Sequence, residues 1–413
     1  MFVILLFEAV NMKILKMEIK GFRSLKNISF APADLNVIIG PNGTGKSNLL
    51  RMLELVSVSA QGRLGKTIQH SGGMAPLVWD GISESIRFDI KSSQLLPSWA
   101  TDRNWLTYGV ELARLGKTGA YAIGEEQLLY FHRRNLEEEV EPFAILDRQK
   151  MSARIFDENR KEWIAPEESL LEEETLLSQT AGPFTINQHI PLFRQQLTEW
   201  CVYHDVDVSP SAGLRQPAVA RLEKRVDPDG QNLISVLHTL YTGDRDFKKD
   251  IDLAMRAAFG DDYDELVFPP AADQRIQLRV RWKSLRREQT AADLSDGTLR
   301  FLFLLTVLAS PSPAPLIAID EPETGLHPSM FPIVAEYARD AAERAQVILT
   351  THSPQFLDAF EDTLPTTTVA KWTNGETVLK TLKGEKLARW LNEYSLGTLY
   401  RSGELEDMAE EGE

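Results

Sequence analysis

The chain has 413 residues, enough to bury one large core with an insertion or two modest domains. Its composition, 43% hydrophobic and 25% charged, is that of an ordinary globular protein, and a formal net charge of −15 excludes a surface that is basic throughout. The single cysteine, Cys201, excludes an intrachain disulfide and a cysteine-based zinc site; with seven scattered histidines this fits the reducing cytoplasm.

In chain order, Met1 to Val10 is almost wholly apolar. It carries Glu8 and lacks both a basic flank and a small-residue cleavage site, and it is too short to span a bilayer. Residues 1–11 are therefore expected to be a mis-assigned start or a short strand end, with Met12 opening the first real element. No later stretch reaches the roughly 18 apolar residues of a membrane helix. Met12 to Lys20 and Leu35 to Ile39 read as strands, separated by Gly21-Phe22-Arg23-Ser24 and a second short extended run. Next come a glycine-rich loop, Gly40-Pro41-Asn42-Gly43-Thr44-Gly45-Lys46-Ser47, and an apolar helix from about Lys46 to Val58. Strand, glycine loop and helix are the context that a phosphate-binding loop requires.

Residues 60–285 form a long middle region. Its first half alternates at period two, with Leu106, Tyr108, Val110 and Leu112 on one face of a strand. Its second half predicts helices over Asn187 to Val202 and Asn232 to Ala258. Prolines at 97, 142, 166, 183, 191, 210 and 217 exclude a long coiled coil. The acidic runs Glu137 to Glu139 and Glu172 to Glu174 read as solvated loops or helix faces. From Arg275 a compact α/β pattern returns. A strand reaches Lys283 and a helix runs from about Gly297 to Ala309; a strand follows at Leu316 to Ile319, then a helix over Ser329 to Arg344 and a strand at Val347 to Leu349. Thr373-Asn374-Gly375 predicts a hairpin turn, and the acidic stretch after Gly403 predicts a frayed tail.

Four motifs carry chemistry. In Gly40 to Ser47, glycines let backbone amides converge on phosphate oxygens, Lys46 suits the β- and γ-phosphates, and Ser47 suits Mg²⁺. Leu316 to Ile319 delivers Asp320 and Glu321 at a strand end, where Asp320 suits Mg²⁺ and Glu321 suits the attacking water. Leu294-Ser295-Asp296-Gly297-Thr298 opens a helix, with Ser295 as its cap and the amides near Gly297 as a second anion site. Alone this would be an ordinary helix cap. Two phosphate-binding helix starts in one chain fit a composite site shared by two subunits. Finally, Thr350-Thr351-His352-Ser353 places a histidine at a strand end, suited to sensing a γ-phosphate.

With these in place the chain resembles the ABC-type ATPases of the RecF, SMC and OLD group, most of all the compact RecF-like ATPases. The matching pieces are Phe22-Arg23-Ser24, Gly40 to Asn48, Leu294 to Arg300, Asp320 to Pro328 and Thr351 to Ser353. Thinner matches lie at Asp229 to Leu233 and Leu387 to Gly403. The resemblance implies an α/β P-loop ATPase head with a mixed central sheet and a long inserted α+β region. Its parts would be residues 12–60 and 286–403 as the core, 61–285 as the insertion, and 404–413 as an acidic tail. It also implies ATP and Mg²⁺ as cofactors and a homodimer holding two nucleotides. Ser295 and Gly297 of one subunit would face the phosphates held by Lys46 of the other, Glu323 to His327 would lie at the interface, and Asn48 would join the nucleotide loop. A Q-loop glutamine is expected; Gln69 is the one weak candidate.

For the role, a DNA-repair or genome-maintenance ATPase comes first and a defence ATPase controlling a separately encoded nuclease second. Transport fits poorly with Phe22-Arg23-Ser24 and the broad insertion, and too little chain follows His352 for a built-in nuclease. DNA contact has one candidate. Arg275, Gln277, Arg279, Arg281 and Lys283 alternate with Ile276, Leu278, Val280 and Trp282, so a strand would expose a positive ladder extended by Arg286 and Arg287. The other reading is a solvated face balanced by nearby acids.

Overall fold

The computed structural model describes residues 12–93, 104–116, 119–132, 141–166, 169–180, 186–360, 364–382, 385–391 and 393–411. Residues 1–11 and the Glu137 to Glu139 run lie outside them. The chain folds into two compact units. The first takes the chain up to Ala33, then Pro41–Trp200 and Ala370–Leu379; the second takes Asp34–Gly40, Cys201–Val369 and everything from Lys380 on.

The first unit is built on an eight-stranded antiparallel sheet. Its order is Leu25–Phe30, Ile14–Phe22, Ser85–Ser93, Asn104–Arg114, Tyr121–His132, Phe143–Gln149, Ser152–Asp157 and Glu162–Ile164. The period-two reading holds: Leu106, Tyr108, Val110 and Leu112 are all buried, as are Ile86, Phe88 and Ile90 on the neighbouring strand. Phe193, on the helix His189–Thr198, meets Tyr108 edge-on at 5.4 Å between ring centroids. Arg194 of that helix donates to the Ala60 carbonyl at the end of the helix Lys46–Ala60. Glu126 is fully buried and accepts from the amides of Leu176 and Leu177 and from the Tyr108 hydroxyl. Burial pushes its carboxyl above the ordinary value of 4.5, and those three donors pull it back. The Glu172 to Glu174 run is more than a solvated loop, because Glu174 caps the helix Leu64–His70 by accepting from the Leu64 and Gly65 amides.

In the second unit five strands run parallel, in the order Cys201–Tyr203, Leu316–Asp320, Gln346–Thr351, Leu35–Ile39 and the first half of Thr366–Thr373, whose residues from Ala370 on belong to the first unit. Every residue of Leu35–Ile39 and Gln346–Thr351 is buried, the pattern of a parallel sheet covered on both faces. The helices Asp296–Leu308 and Phe331–Ala342 supply much of the apolar cover, through Phe301, Leu302, Leu305, Val334 and Ala338. The turn after Thr366–Thr373 has Asn374 at φ 52 and Gly375 at φ 82, as a tight hairpin needs, and leads into Glu376–Thr381. Among the described residues the longest helices have 15 residues, so no long coiled coil is present. No helix among them is long and apolar enough to cross a membrane.

Four readings need correction. The expected helix Asn187 to Val202 stops at Thr198; Cys201–Tyr203 is a buried strand pairing with Ile317 to Ile319. The expected helix Asn232 to Ala258 is two, Leu233–Gly243 and Arg245–Phe259. Asp244 between them is extended, and its side chain caps the second helix. The stretch after Gly403 is a helix, Glu404–Glu411, with Leu405 and Ala409 buried one turn apart. The Arg275 to Lys283 strand is broken into Arg275–Ile276 and Arg279–Trp282, and the two arginines of the second piece are paired with acids. Arg281 pairs with Glu265 and Glu288, while Arg279 pairs with Glu288.

Candidate nucleotide site

In the first unit, the loop from Pro41 winds into the helix Lys46–Ala60 with Gly43 at φ 83 and Gly45 at φ 94. Both conformations suit glycine. At Gly45 space is decisive as well, because a β-carbon there would lie 2.0 Å from Thr377 Oγ1 and 2.5 Å from Ser24 Oγ. Lys46 is buried, and its Nζ donates back across the loop to the Pro41 carbonyl at 3.1 Å. Thr44 donates to the same carbonyl through its hydroxyl. Ser47 is half-buried at the first turn of the helix.

A small polar brace supports this loop. Asn48 Nδ2 donates to Ser24 Oγ at 2.7 Å, and Thr377 Oγ1 lies 2.7 Å from Ser24 Oγ and 2.8 Å from the Thr44 carbonyl. Ser24 of the Phe22-Arg23-Ser24 motif is therefore a buttress of the loop. Thr377 was not legible in the sequence, since 353 residues separate it from Ser24.

In the second unit, three adjacent parallel strands end side by side. Register sets Asp320 opposite Thr350 and Thr351 opposite Ile39, and Gly40 follows. Thr350 Oγ1 donates to Asp320 Oδ1 and accepts the Glu321 amide at 3.1 Å. Glu321 stands at φ 48, a left-handed conformation unusual for a glutamate. That backbone is also held by its amide's bond to the Thr350 carbonyl at 3.2 Å. Its side chain turns to His352, with Oε1 2.9 Å from Nδ1. Glu323 is buried; Thr351 Oγ1 donates to its Oε1, and burial pushes its carboxyl up. On the other side of Asp320, His204 Nδ1 lies 3.5 Å from Oδ2.

The Leu294 to Thr298 segment lies in the same unit. Ser295 Oγ caps the helix Asp296–Leu308 by accepting the Thr298 amide at 3.1 Å. A β-carbon at Gly297 would come within 2.7 Å of the Gly325 carbonyl, so the first turn of that helix touches the loop that carries Gly325. Arg215, buried and missed in the sequence, secures the approach by donating to the carbonyls of Val208, Ala291 and Leu294 and to Asp296. Within this unit the structure thus gathers Asp320, Glu321 and His352 at one cluster of strand ends, and Ser295 and Gly297 at a helix start beside Gly325. Gln69 is exposed on the helix Leu64–His70 of the first unit.

A parallel sheet whose carboxyl ends carry an acidic pair, a histidine and a glycine loop has the fold of an ABC-type P-loop ATPase head. The family described as "AAA domain, putative AbiEii toxin, Type IV TA system" matches residues 130–358, more than half of the chain, and the chain belongs to it. Residues 12–92 match the "AAA ATPase domain" family. No curated protein matches. Among solved structures, an SMC head bound to the C-winged helix domain of ScpA superposes with a TM-score of 0.55 at 13% identity, covering 91% of this chain and 99% of that one. The SMC head of Pyrococcus furiosus with an extended coiled coil, bound to the C-terminal domain of ScpA, gives 0.53 at 12%, covering 92% and 99%. At such identities the likeness is one of fold.

Proposed function

We propose that the chain binds ATP with Mg²⁺, pairs two copies of itself around two nucleotides, and hydrolyses ATP to ADP and phosphate. The observation that carries this reading is the trio of parallel strands delivering Asp320-Glu321, Thr351-His352 and Gly40 at neighbouring carboxyl ends. Lys46 and the amides of Gly43 to Ser47 hold the β- and γ-phosphates. The Ser47 hydroxyl and the Asp320 carboxylate are the hard oxygen donors that suit Mg²⁺. When bound, Mg²⁺ neutralises charge on the phosphates. Glu321 orients the attacking water and accepts its proton. His352, hydrogen-bonded to Glu321, fixes that carboxylate and loses a contact when the γ-phosphate leaves. Ser295 and Gly297 offer the second helix start to the nucleotide of the partner copy.

The finer role has two readings. In the first, the ATP-driven dimer acts on DNA in repair or genome maintenance; its support is the likeness to SMC heads, and the neutralised Arg279 and Arg281 contribute nothing to it. In the second, the ATPase serves defence and controls a separately encoded effector such as a nuclease, a reading favoured by the family's description. Rates of ATP hydrolysis with and without single- and double-stranded DNA test the first directly.

Lys46→Ala should abolish binding of a fluorescent ATP analogue. Glu321→Gln should retain nucleotide and double in mass by light scattering when ATP and Mg²⁺ are added. A Glu321→Gln protein that binds ATP and stays monomeric would remove the composite site.

A further inference from the structure

We propose that His204 and Thr350 are positioning residues that grip the Asp320 carboxylate from its two sides and fix it for a divalent cation. The inference rests on the nucleotide reading above. Each oxygen of Asp320 has its own neighbour: Thr350 Oγ1 donates to Oδ1, and His204 Nδ1 faces Oδ2 at 3.5 Å. The two neighbours come from the strands on either side of Leu316–Asp320. Thr350 is opposite Asp320 in register, and Tyr203 pairs with Ile319, so one further step along the edge brings His204 level with the acid.

A carboxylate at a strand end would otherwise choose among several rotamers and give up that freedom on binding a cation. One already held in plane does not, and partners of this kind commonly set metal affinity. Little water is available to do the job instead, since the side chains of Asp320 and His204 are only 16% and 23% exposed. The grip requires a proton on Nδ1, from which His204 donates to the carboxylate. Thr350 does a second task with the same hydroxyl, because it also accepts the Glu321 amide and so sustains that residue's left-handed backbone.

The test is the affinity of a fluorescent ATP analogue, measured with Mg²⁺ and again in EDTA, together with Mn²⁺ binding to the ATP-loaded protein by electron paramagnetic resonance. His204→Ala and Thr350→Val should each lose about tenfold in Mg²⁺-assisted nucleotide affinity and in Mn²⁺ affinity, with the EDTA value unchanged. His204→Asn, whose amide nitrogen takes the place of Nδ1, and Thr350→Ser, which keeps the hydroxyl, should recover most of the loss. Melting curves separate misfolding from lost positioning, and the conservative pair supplies folded variants. If His204→Ala keeps the wild-type dependence on Mg²⁺, or His204→Asn is no better than His204→Ala, the proposal is overturned while the nucleotide reading stands. A wild type that binds no nucleotide overturns both.

Discussion

Gly45 shows how little latitude the phosphate loop has. A methyl group there would meet Thr377 and Ser24 at the same time as it strains a left-handed backbone, whereas Gly43 has the same kind of backbone and open space around it. Gly45→Ala should therefore weaken nucleotide binding severely and cost at least ~1–3 kcal/mol in stability by denaturant titration. Gly43→Ala should cost about 1–2 kcal/mol, from the left-handed strain alone. The contrast also marks what a sequence can disclose at this scale. Lys46, Asp320, Glu321 and His352 each fall in a short contiguous motif whose order is informative. Thr377, Arg215 and His204 act on residues far along the chain, as His204 does on Asp320 from 116 positions away, and no local pattern announces them.

Among the elements, the well-read ones have an unambiguous period or a punctuating residue. The strand Asn104–Arg114 alternates cleanly, and Asn374-Gly375 permits only a tight turn. Cys201–Tyr203 was absorbed into the preceding helix because three apolar residues fit either period, and only pairing with Ile317 to Ile319 decides the matter. The Arg279–Trp282 strand alternates as read, and of the two readings of its charge the face balanced by acids holds at Arg279 and Arg281, through Glu265 and Glu288. Reversing the charge of Arg279 and Arg281 should leave DNA retention in a low-salt gel shift unchanged and lower the melting temperature instead. Glu126 gives a second element-scale expectation. Its carboxyl is raised by burial, so its contribution to stability is full below pH 4.5 and declines as pH rises through its folded-state value. The melting temperature of the wild type relative to Glu126→Gln should accordingly fall between pH 4.5 and pH 8 in parallel thermal scans.

For the whole molecule, neither unit is a continuous piece of sequence. The chain passes between them after Ala33, Gly40, Trp200, Val369 and Leu379. Among the described residues the strand Leu35–Ile39 pairs only with Gln346–Thr351 and Thr366–Val369, and Asn36 bonds the Val347 carbonyl across 311 positions. A chain cut after Arg344 lacks both neighbours of that strand, as well as the Thr377 that braces the phosphate loop, and should partition to the insoluble fraction on expression. The same separation has a cost during synthesis. At about 5–20 residues per second, this mostly apolar strand waits on the order of 15–60 s for its first partner to leave the ribosome. Through that interval Val37, Ile38 and Ile39 lack the strands they pair with in the folded chain, which leaves the strand before the phosphate loop exposed to wrong pairing while the protein is being made.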